Sequence, residues 1–391
     1  MIAFEEALNI VLLSANPLNS ETVSLNQSLN RILAQDLFSD MDMPPFDKSA
    51  VDGFACRRAD LKSTLSVIEL IRAGKVPEKT VGEGQCSRIM TGAMIPEGTD
   101  TVIMVEETDE ISEDKIRYIG EKTAANICYR AEDIHKGDKV FEMGTLIHPG
   151  QIAVLASVGC TKPLVYRQPV VAILSTGDEL VEPDQIPAPS QIRNSNAAQL
   201  IAQITAMNAI PIYRGIVPDD EEQTRKALEQ ALAEADVVLL TGGVSMGDFD
   251  FVPMILEEQK VKILFNRIAV QPGKPTVFGH RDEKYVFGLP GNPVSSFVQF
   301  EMLVKPLLYA LCGHTYRPVQ LKLPLAVDYI RRNNQRKAFV PVTFLQSEGV
   351  VPIAYHGSAH IHAYVAAEGL MSVPLGISHL KKGDLVDVRS L

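Results

Sequence analysis

Between Val237 and Val252, four apolar residues lead into Thr241-Gly-Gly-Val-Ser-Met-Gly247, and Asp248 and Asp250 follow. Gly243-Val-Ser245-Met-Gly247 has the spacing of a G-x-S-x-G nucleophile elbow, in which a strained strand-to-helix turn exposes a serine. The same glycines suit an anion cradle, where bare backbone N–H groups close around a phosphate. A hydrolase needs an apolar helix straight after the turn, then an acid and a histidine. His280 and His314 satisfy the chain order. Two carboxylates and an aromatic follow the turn instead, and Thr241-Gly242-Gly243 leaves backbone bare where a ligand would approach. Carboxylates beside a phosphate cradle make sense when a divalent cation bridges them to the anion. The pattern favours the cradle, with a serine hydrolase acting through Ser245 as the rival.

Such a turn needs a buried strand to hold it. PVVAILST (169–176) is a continuous apolar run, as expected for a strand covered on both faces. NSNAAQLIAQITAMNA follows at helical spacing, with Asn194 or Ser195 placed to cap. Then come the strand IPIYRGIV, the acid-started helix DDEEQTRKALEQALAEA and the strand DVVLL. A short helix near 252–258, strands near VKILF, PTVFG and KYVFGL, and a helix from Pro293 complete the pattern, with Asn292 placed to cap. Strands alternating with helices predict a doubly wound parallel sheet over about residues 165–310. Residues 40–137, broken by Pro and Gly, and residues 317–391 read as short strands of two β-rich units.

Ligands of an open parallel sheet bind outside the carboxyl ends of its strands. Three such ends here carry small and acidic residues: Thr176-Gly-Asp178-Glu179, the Thr241–Asp250 turn, and Leu289-Pro290-Gly-Asn292-Pro293. Any one alone is an ordinary strand–helix turn. All three on one sheet, together with Lys274 in QPGKP, predict a shared anion site. The binding set is Thr176, Gly242, Gly243, Ser245, Gly247, Pro290, Asn292 and Pro293.

The bulk composition excludes several classes. The 391 residues are 46% hydrophobic and 22% charged, a soluble globular balance long enough for more than one domain. No apolar run reads as a membrane span, and the acidic N-terminal helix is unlike a signal peptide. A formal charge of −11 argues against a nucleic-acid partner and requires a local basic pocket for any anionic substrate. Five scattered cysteines without a C-x-x-C pair predict a reducing, cytoplasmic setting with no structural zinc or disulfide.

The stretches MPPFDKSAVDGFACR (43–57), RIMTGAMIPEGTDTVIMVEE (88–107), STGDELV, TGGVSMGDFDFV, QPGKP and GLPGNPVSS closely resemble the molybdopterin molybdenumtransferase family, in that family's order along nearly the whole chain. The resemblance implies a homodimer of four-domain subunits that converts adenylylated molybdopterin and molybdate into molybdenum cofactor and AMP, with Mg2+ assisting. It implies an α/β pterin-nucleotide domain (1–14 and 165–315) similar to molybdopterin adenylyltransferase, a linking and dimerisation domain (15–38 and 138–164), a β-rich domain (39–137) and a C-terminal β domain (316–391). That adenylyltransferase is itself an implied partner. Carried over by motif, the catalytic positions are Asp52, Thr91, Asp133, Glu179, Asp219, Asp250 and Lys274, with Asp219 and Asp250 as metal ligands. Arg336 in QRKAFVPV and Ser358 in GSAHIHAYVAA join the binding set.

Several positions depart from the pattern. The family usually has lysine where Gln271 stands, and arginine and glycine at Cys128 and Ala131, with Arg130 a substitute donor. Arginine is usual at Pro341, and a serine pair gives way to His362 and Ala363. His356, His360 and His362 have the residue type for a transition metal, but lacking a nearby cysteine they read more simply as solvated histidines. The substituted donors keep open a second class of function, a scaffold that binds the pterin without turnover.

Overall fold

The computed structural model describes residues 1–243, 252–346, 348–354, 357 and 359–391. The chain divides into two compact units: Met1–Gln35, Met143–Ile152 and Lys162–Leu391 form one, Asp36–Glu142 and Ala153–Thr161 the other.

The larger unit is built around six strands. In chain order these are β1 (Val170–Thr176), β2 (Ile210–Val217), β3 (Val237–Thr241), β4 (Lys262–Phe265), β5 (Val277–Arg281) and β6 (Lys284–Leu289), in spatial order β2-β1-β3-β6-β5-β4. β2, β1, β3 and β6 are parallel, as expected, whereas β5 and β4 join antiparallel. The departure from an all-parallel sheet has a simple cause. Only Asp282 and Glu283 separate β5 from β6, and a two-residue link makes a hairpin, never a crossover.

Successive residues of β1 and β3 face opposite sides of the sheet. Val171, Ile173, Val237 and Leu239 pack under α1 (Phe4–Ser14) and α2 (Ser195–Ala206). Ala172, Leu174, Val238 and Leu240 pack under α3 (Glu221–Glu234) and α4 (Val252–Glu258). Asn194 caps α2 through the Ala197 N–H (3.2 Å), and Asp220 caps α3 through the Gln223 N–H (2.8 Å).

After β6 the chain forms a continuous helix: α5 (Pro293–Gln299), a π turn (Phe300–Val304) and α6 (Lys305–Leu311). Pro306 lacks the N–H that a carbonyl one turn back would use, and the widened turn stands just before it. The Arg389 guanidinium donates to the Glu301 carbonyl at 2.5 Å. The helix is long and apolar enough to resemble a membrane span by length and composition alone, but most of it is buried inside the fold. It is a core helix, with Val298, Phe300, Leu303 and Leu307 fully enclosed.

The same unit carries a second sheet, in the order Val270–Gln271, Lys337–Leu345, Gly369–Val373, Leu385–Ser390 and Gln320–Pro324, with Gly349–Pro352 beside the second of these. Val340, Val342, Met371 and Val388 fill its own core. Phe339 and Leu370 face the α/β core instead, and Phe339 meets Phe4 edge to face at 5.1 Å.

The smaller unit is a mixed six-stranded sheet, ordered Thr101–Met104, Gly53–Cys56, Gln85–Ile89, Thr64–Ile71, Lys115–Tyr118 and Thr108–Ser112. Phe54, Leu65, Ile103 and Ile116 pack on one face, and Ala55, Ile71, Ile89 and Val102 on the other. Cys56 and Cys86 are buried opposite each other on neighbouring strands, and burial pushes both thiols up to about 12.

Candidate active site

Parallel pairing brings the strand tips level. Thr176 lies opposite Val217, Ser175 opposite Thr241, and Thr241 opposite Leu289. Glycine is required where the tips touch. At Gly242 (φ +94°) a Cβ would stand 2.5 Å from the Thr176 carbonyl oxygen and 2.7 Å from its Oγ1, and the Gly242 N–H donates to the Leu289 carbonyl (3.2 Å). A Cβ on Gly291 would reach within 3.7 Å of the Gly242 Cα, so the Pro290–Asn292 turn lies against the Gly242–Gly243 turn. Glu179 curls over Gly177, where a Cβ would meet its carboxylate at 2.3 Å. The tips of β1, β3 and β6 thus share one edge. Ser245, Gly247, Asp248 and Asp250, the remainder of the predicted cradle, lie outside the described residues, as do His356 and Ser358.

A buried polar network holds these tips, and the sequence reading missed most of it. Thr241 Oγ1 donates to Ser175 Oγ (3.4 Å), Ser175 Oγ to Asn194 Oδ1 (3.2 Å), and Asn194 Nδ2 to the Tyr213 hydroxyl (2.9 Å). That hydroxyl donates to Glu182 (2.8 Å). Burial first, and then the Glu182 carboxylate, push the Tyr213 phenol well above its usual range, so it remains a donor. Asn196 donates to the Gly291 carbonyl at 2.7 Å. The only sequence signal for these residues was the RNSN cluster, read as a helix cap.

Asp219 precedes the residue that caps α3, so capping does not account for it; its N–H donates to Asp178 Oδ1 at 3.2 Å. Asn292 occupies the cap position of α5, but its side chain makes no capping bond and is exposed. The expected cap is absent because Pro293 at the first helical position already fixes the turn. Among the described residues, no three His, Cys, Asp or Glu side chains gather as a metal-binding group.

The QPGKP loop is anchored from beneath. Gln299 Nε2 donates to the Pro272 carbonyl (3.0 Å), and Thr276 Oγ1 to the Gly273 carbonyl (2.7 Å). Gly273 (φ +108°) packs so closely that a Cβ would stand 2.1 Å from the Gln299 amide nitrogen. Lys274 itself is exposed, and no ion pair among the described residues involves its ammonium. Arg336 donates to the Val270 carbonyl (3.1 Å) at the start of the same loop. His362 is exposed on the turn Ile361–Ala366, whose Tyr364 ring meets Phe297 of α5 at 5.0 Å.

In the smaller unit, Asp52 and Thr91 form a pair. Asp52 Oδ1 accepts from both the Thr91 N–H (2.7 Å) and Oγ1 (3.0 Å), and these bonds hold the carboxyl below its usual range. Asp133 is exposed, its N–H bonded to the Met43 carbonyl (3.0 Å). Arg130 is engaged by Asp42 (2.6 Å).

Comparison with known proteins gives this geometry its family. Residues 2–159 match the family described as MoeA N-terminal region (domain I and II), 172–310 the probable molybdopterin binding domain, and 322–391 the MoeA C-terminal region (domain IV). The molybdopterin molybdenumtransferase of Staphylococcus aureus (strain Mu50) is 37% identical, with 99% of this chain and 95% of that protein covered. That of Bacillus subtilis (strain 168) is 36% identical, covering 94% and 89%. The crystal structure of the molybdopterin biosynthesis moeA protein from Pyrococcus horikoshii OT3 superposes over 100% of both chains with TM-score 0.86 at 30% identity. With three family regions in order and relatives matched from end to end, the chain belongs to the molybdopterin molybdenumtransferases, transferases of molybdenum-cofactor biosynthesis.

Proposed function

We propose that this chain, working as a cytoplasmic homodimer, inserts molybdenum from molybdate into adenylylated molybdopterin and releases AMP. The observation that carries the reading is the meeting of three parallel strand tips at Thr176, Gly242 and Gly291, with Gly242 so close to Thr176 that no side chain fits between them. Amide N–H groups at such tips bind phosphate without a charged side chain, which suits a chain of net charge −11. In this reading Gly242, Gly243, Ser245 and Gly247 cradle the nucleotide, Pro290, Asn292 and Pro293 close its far side, and the exposed Lys274 ammonium neutralises phosphate oxygens. Glu179, Asp219 and Asp250 form the acidic side. Asp52, Thr91 and Asp133 serve the reaction from the β-rich unit, and Arg336 and Ser358 bind the incoming oxyanion. The four-part division with boundaries at residues 15–38, 39–137, 138–164 and 316–391 belongs to the same proposal.

Asp219 and Asp250 would hold Mg2+. Carboxylate oxygens without sulfur or imidazole are the donor set a hard cation takes, and Asp178 and Glu179 stand on the neighbouring tip. When bound, the ion supplies Lewis-acid polarisation of the phosphoanhydride. This chain's own residues would orient the anion.

Purified protein given adenylylated molybdopterin, molybdate and Mg2+ should release AMP only when molybdate is present. Tight pterin binding with no AMP would establish the scaffold reading instead, and labelling of Ser245 by an organophosphonate the hydrolase. Changing His362 to Ala should raise the molybdate concentration needed for half-saturation; an unchanged value removes His362 from the oxyanion pocket.

A further inference from the structure

The larger unit contains a cavity of about 540 Å³ that shares no lining residue with the strand tips. Its floor is apolar, made by Phe4, Leu8, Phe339 and Leu370, and Tyr316 and Arg389 form one wall. Arg389 is 9% exposed, and among the described residues it enters no ion pair. Its Nη2 donates to the Glu301 carbonyl (2.5 Å) and reaches the Tyr316 hydroxyl (3.4 Å), its Nη1 reaches Met302 Sδ (3.3 Å), and its Nε has no acceptor. The guanidinium also lies over the Tyr316 ring at 5.2 Å. All these partners are neutral. A buried cation without a counter-charge is costly, and a guanidinium edge is shaped for a carboxylate.

The other charged groups around the cavity do not discharge it. Lys337 is paired with Glu5 (2.6 Å), Lys305 with Glu301 (2.8 Å), and the His314 ring is bonded to the Gly144 carbonyl (2.8 Å). Asp387 is exposed to solvent. The Lys337 ammonium lies over the Phe4 and Phe339 rings at 5.3 and 5.7 Å, already held by Glu5. A space of this volume has the dimensions of a small-molecule site.

We propose that this cavity binds a small aromatic monocarboxylate, its acid group on Arg389 and its ring against Phe4, Leu8 and Phe339. The site stands apart from the proposed reaction and does not rest on it. Three probes with one apolar body test the idea by calorimetric titration of the full chain: 3-phenylpropanoate, 3-phenylpropanamide and 2-phenylethylammonium. The acid should bind at least tenfold more tightly than the amide, and the ammonium should not bind. Arg389→Met should abolish the preference for the acid. Because Arg389 also holds the Glu301 carbonyl, its folding is followed by circular dichroism, and Leu8→Trp supplies an independent test by filling the cavity and removing acid binding. Equal binding of acid and amide, acid binding untouched by Leu8→Trp, or acid binding that disappears as rising protein concentration seats a second copy in the cavity would each overturn the proposal.

Discussion

The strand tips of the α/β sheet and the Asp52–Thr91 pair of the β-rich unit are two opposite ways to present polar groups. At the tips, Ser175, Thr176, Thr241, Asn194 and Asn196 are all buried, and glycines let backbone approach backbone. Asp52 and Thr91 are exposed, and the two bonds between them hold one carboxylate oxygen. If the proposed roles hold, stability and chemistry are fused at the first place and separable at the second. A change at a tip should damage the fold before the reaction can be read; a change at Asp52 should silence the reaction in a protein that still folds.

The largest effect is expected at Gly242. An alanine there meets the Thr176 carbonyl at 2.5 Å in a left-handed backbone, so Gly242→Ala should cost about 2–5 kcal/mol of stability. Denaturant unfolding measures it, and a loss below about 1 kcal/mol would mean that the tip relaxes and the comparison fails. This constraint was half legible in the sequence. Glycines after an apolar strand announce a tight approach, but their contact is Thr176, 66 positions earlier, and only the parallel register brings it there. The Tyr213–Asn194–Ser175 network was illegible for the same reason. Each residue is ordinary in its own segment, and the meaning lies in three segments meeting.

A second test weakens the sheet from its other end. Asp236, just before β3, binds Arg167 through both oxygens (2.6 and 2.8 Å) and accepts from the Val170 N–H (2.9 Å). Burial alone would raise its pKa; Arg167 and the Val170 N–H outweigh it, and the carboxyl is held below its ordinary value. A carboxyl depressed in the folded state contributes stability that is fully present above its unfolded pKa of about 3.9 and is lost as pH falls through the lower folded value. Arg167 is partly solvated, which reduces the gain. Asp236→Asn should therefore cost about 2 kcal/mol at pH 7 and progressively less below about pH 4, with turnover per folded molecule unchanged. Stability curves at pH 7 and pH 3 that differ by the same amount from wild type would refute the assignment.

At Asp52 the expectation reverses. Asp52→Asn keeps the shape, loses the charge, and should lower molybdate-dependent AMP release by about 100-fold, a typical cost for removing a charge that acts on a reacting group. The melting temperature should stay within about 2 °C of wild type, because an exposed carboxylate contributes little to the fold. A large drop in melting temperature would make Asp52 structural and erase the contrast between the regions. That Asp52 and Thr91 belong together was foreshadowed only by both standing in motifs of the resemblance; their 39-residue separation carries no local signal.

The smallest effect sharpens the comparison most, because it lies in the β-rich unit at a place where backbone conformation itself can be tested. Ala131 has φ +61°, a left-handed conformation, and the resemblance implies glycine there. Its N–H donates to the Pro44 carbonyl at 2.9 Å, so the turn is held and the strain is not released by a small rotation. Glycine would remove about 1 kcal/mol of steric cost but would also enlarge the unfolded ensemble, an opposing term of about 0.4–1 kcal/mol. The two nearly cancel. Ala131→Gly should therefore shift the melting temperature by no more than about 1 °C, read by calorimetry. Its kinetic outcome is the more informative one, since Asp133 follows two residues later. If exposed residues of this unit act through their charges alone, AMP release stays within about twofold of wild type; a rise of tenfold or more would show that backbone strain at Ala131 throttles the reaction, and that fold and chemistry are as fused here as they are at the strand tips.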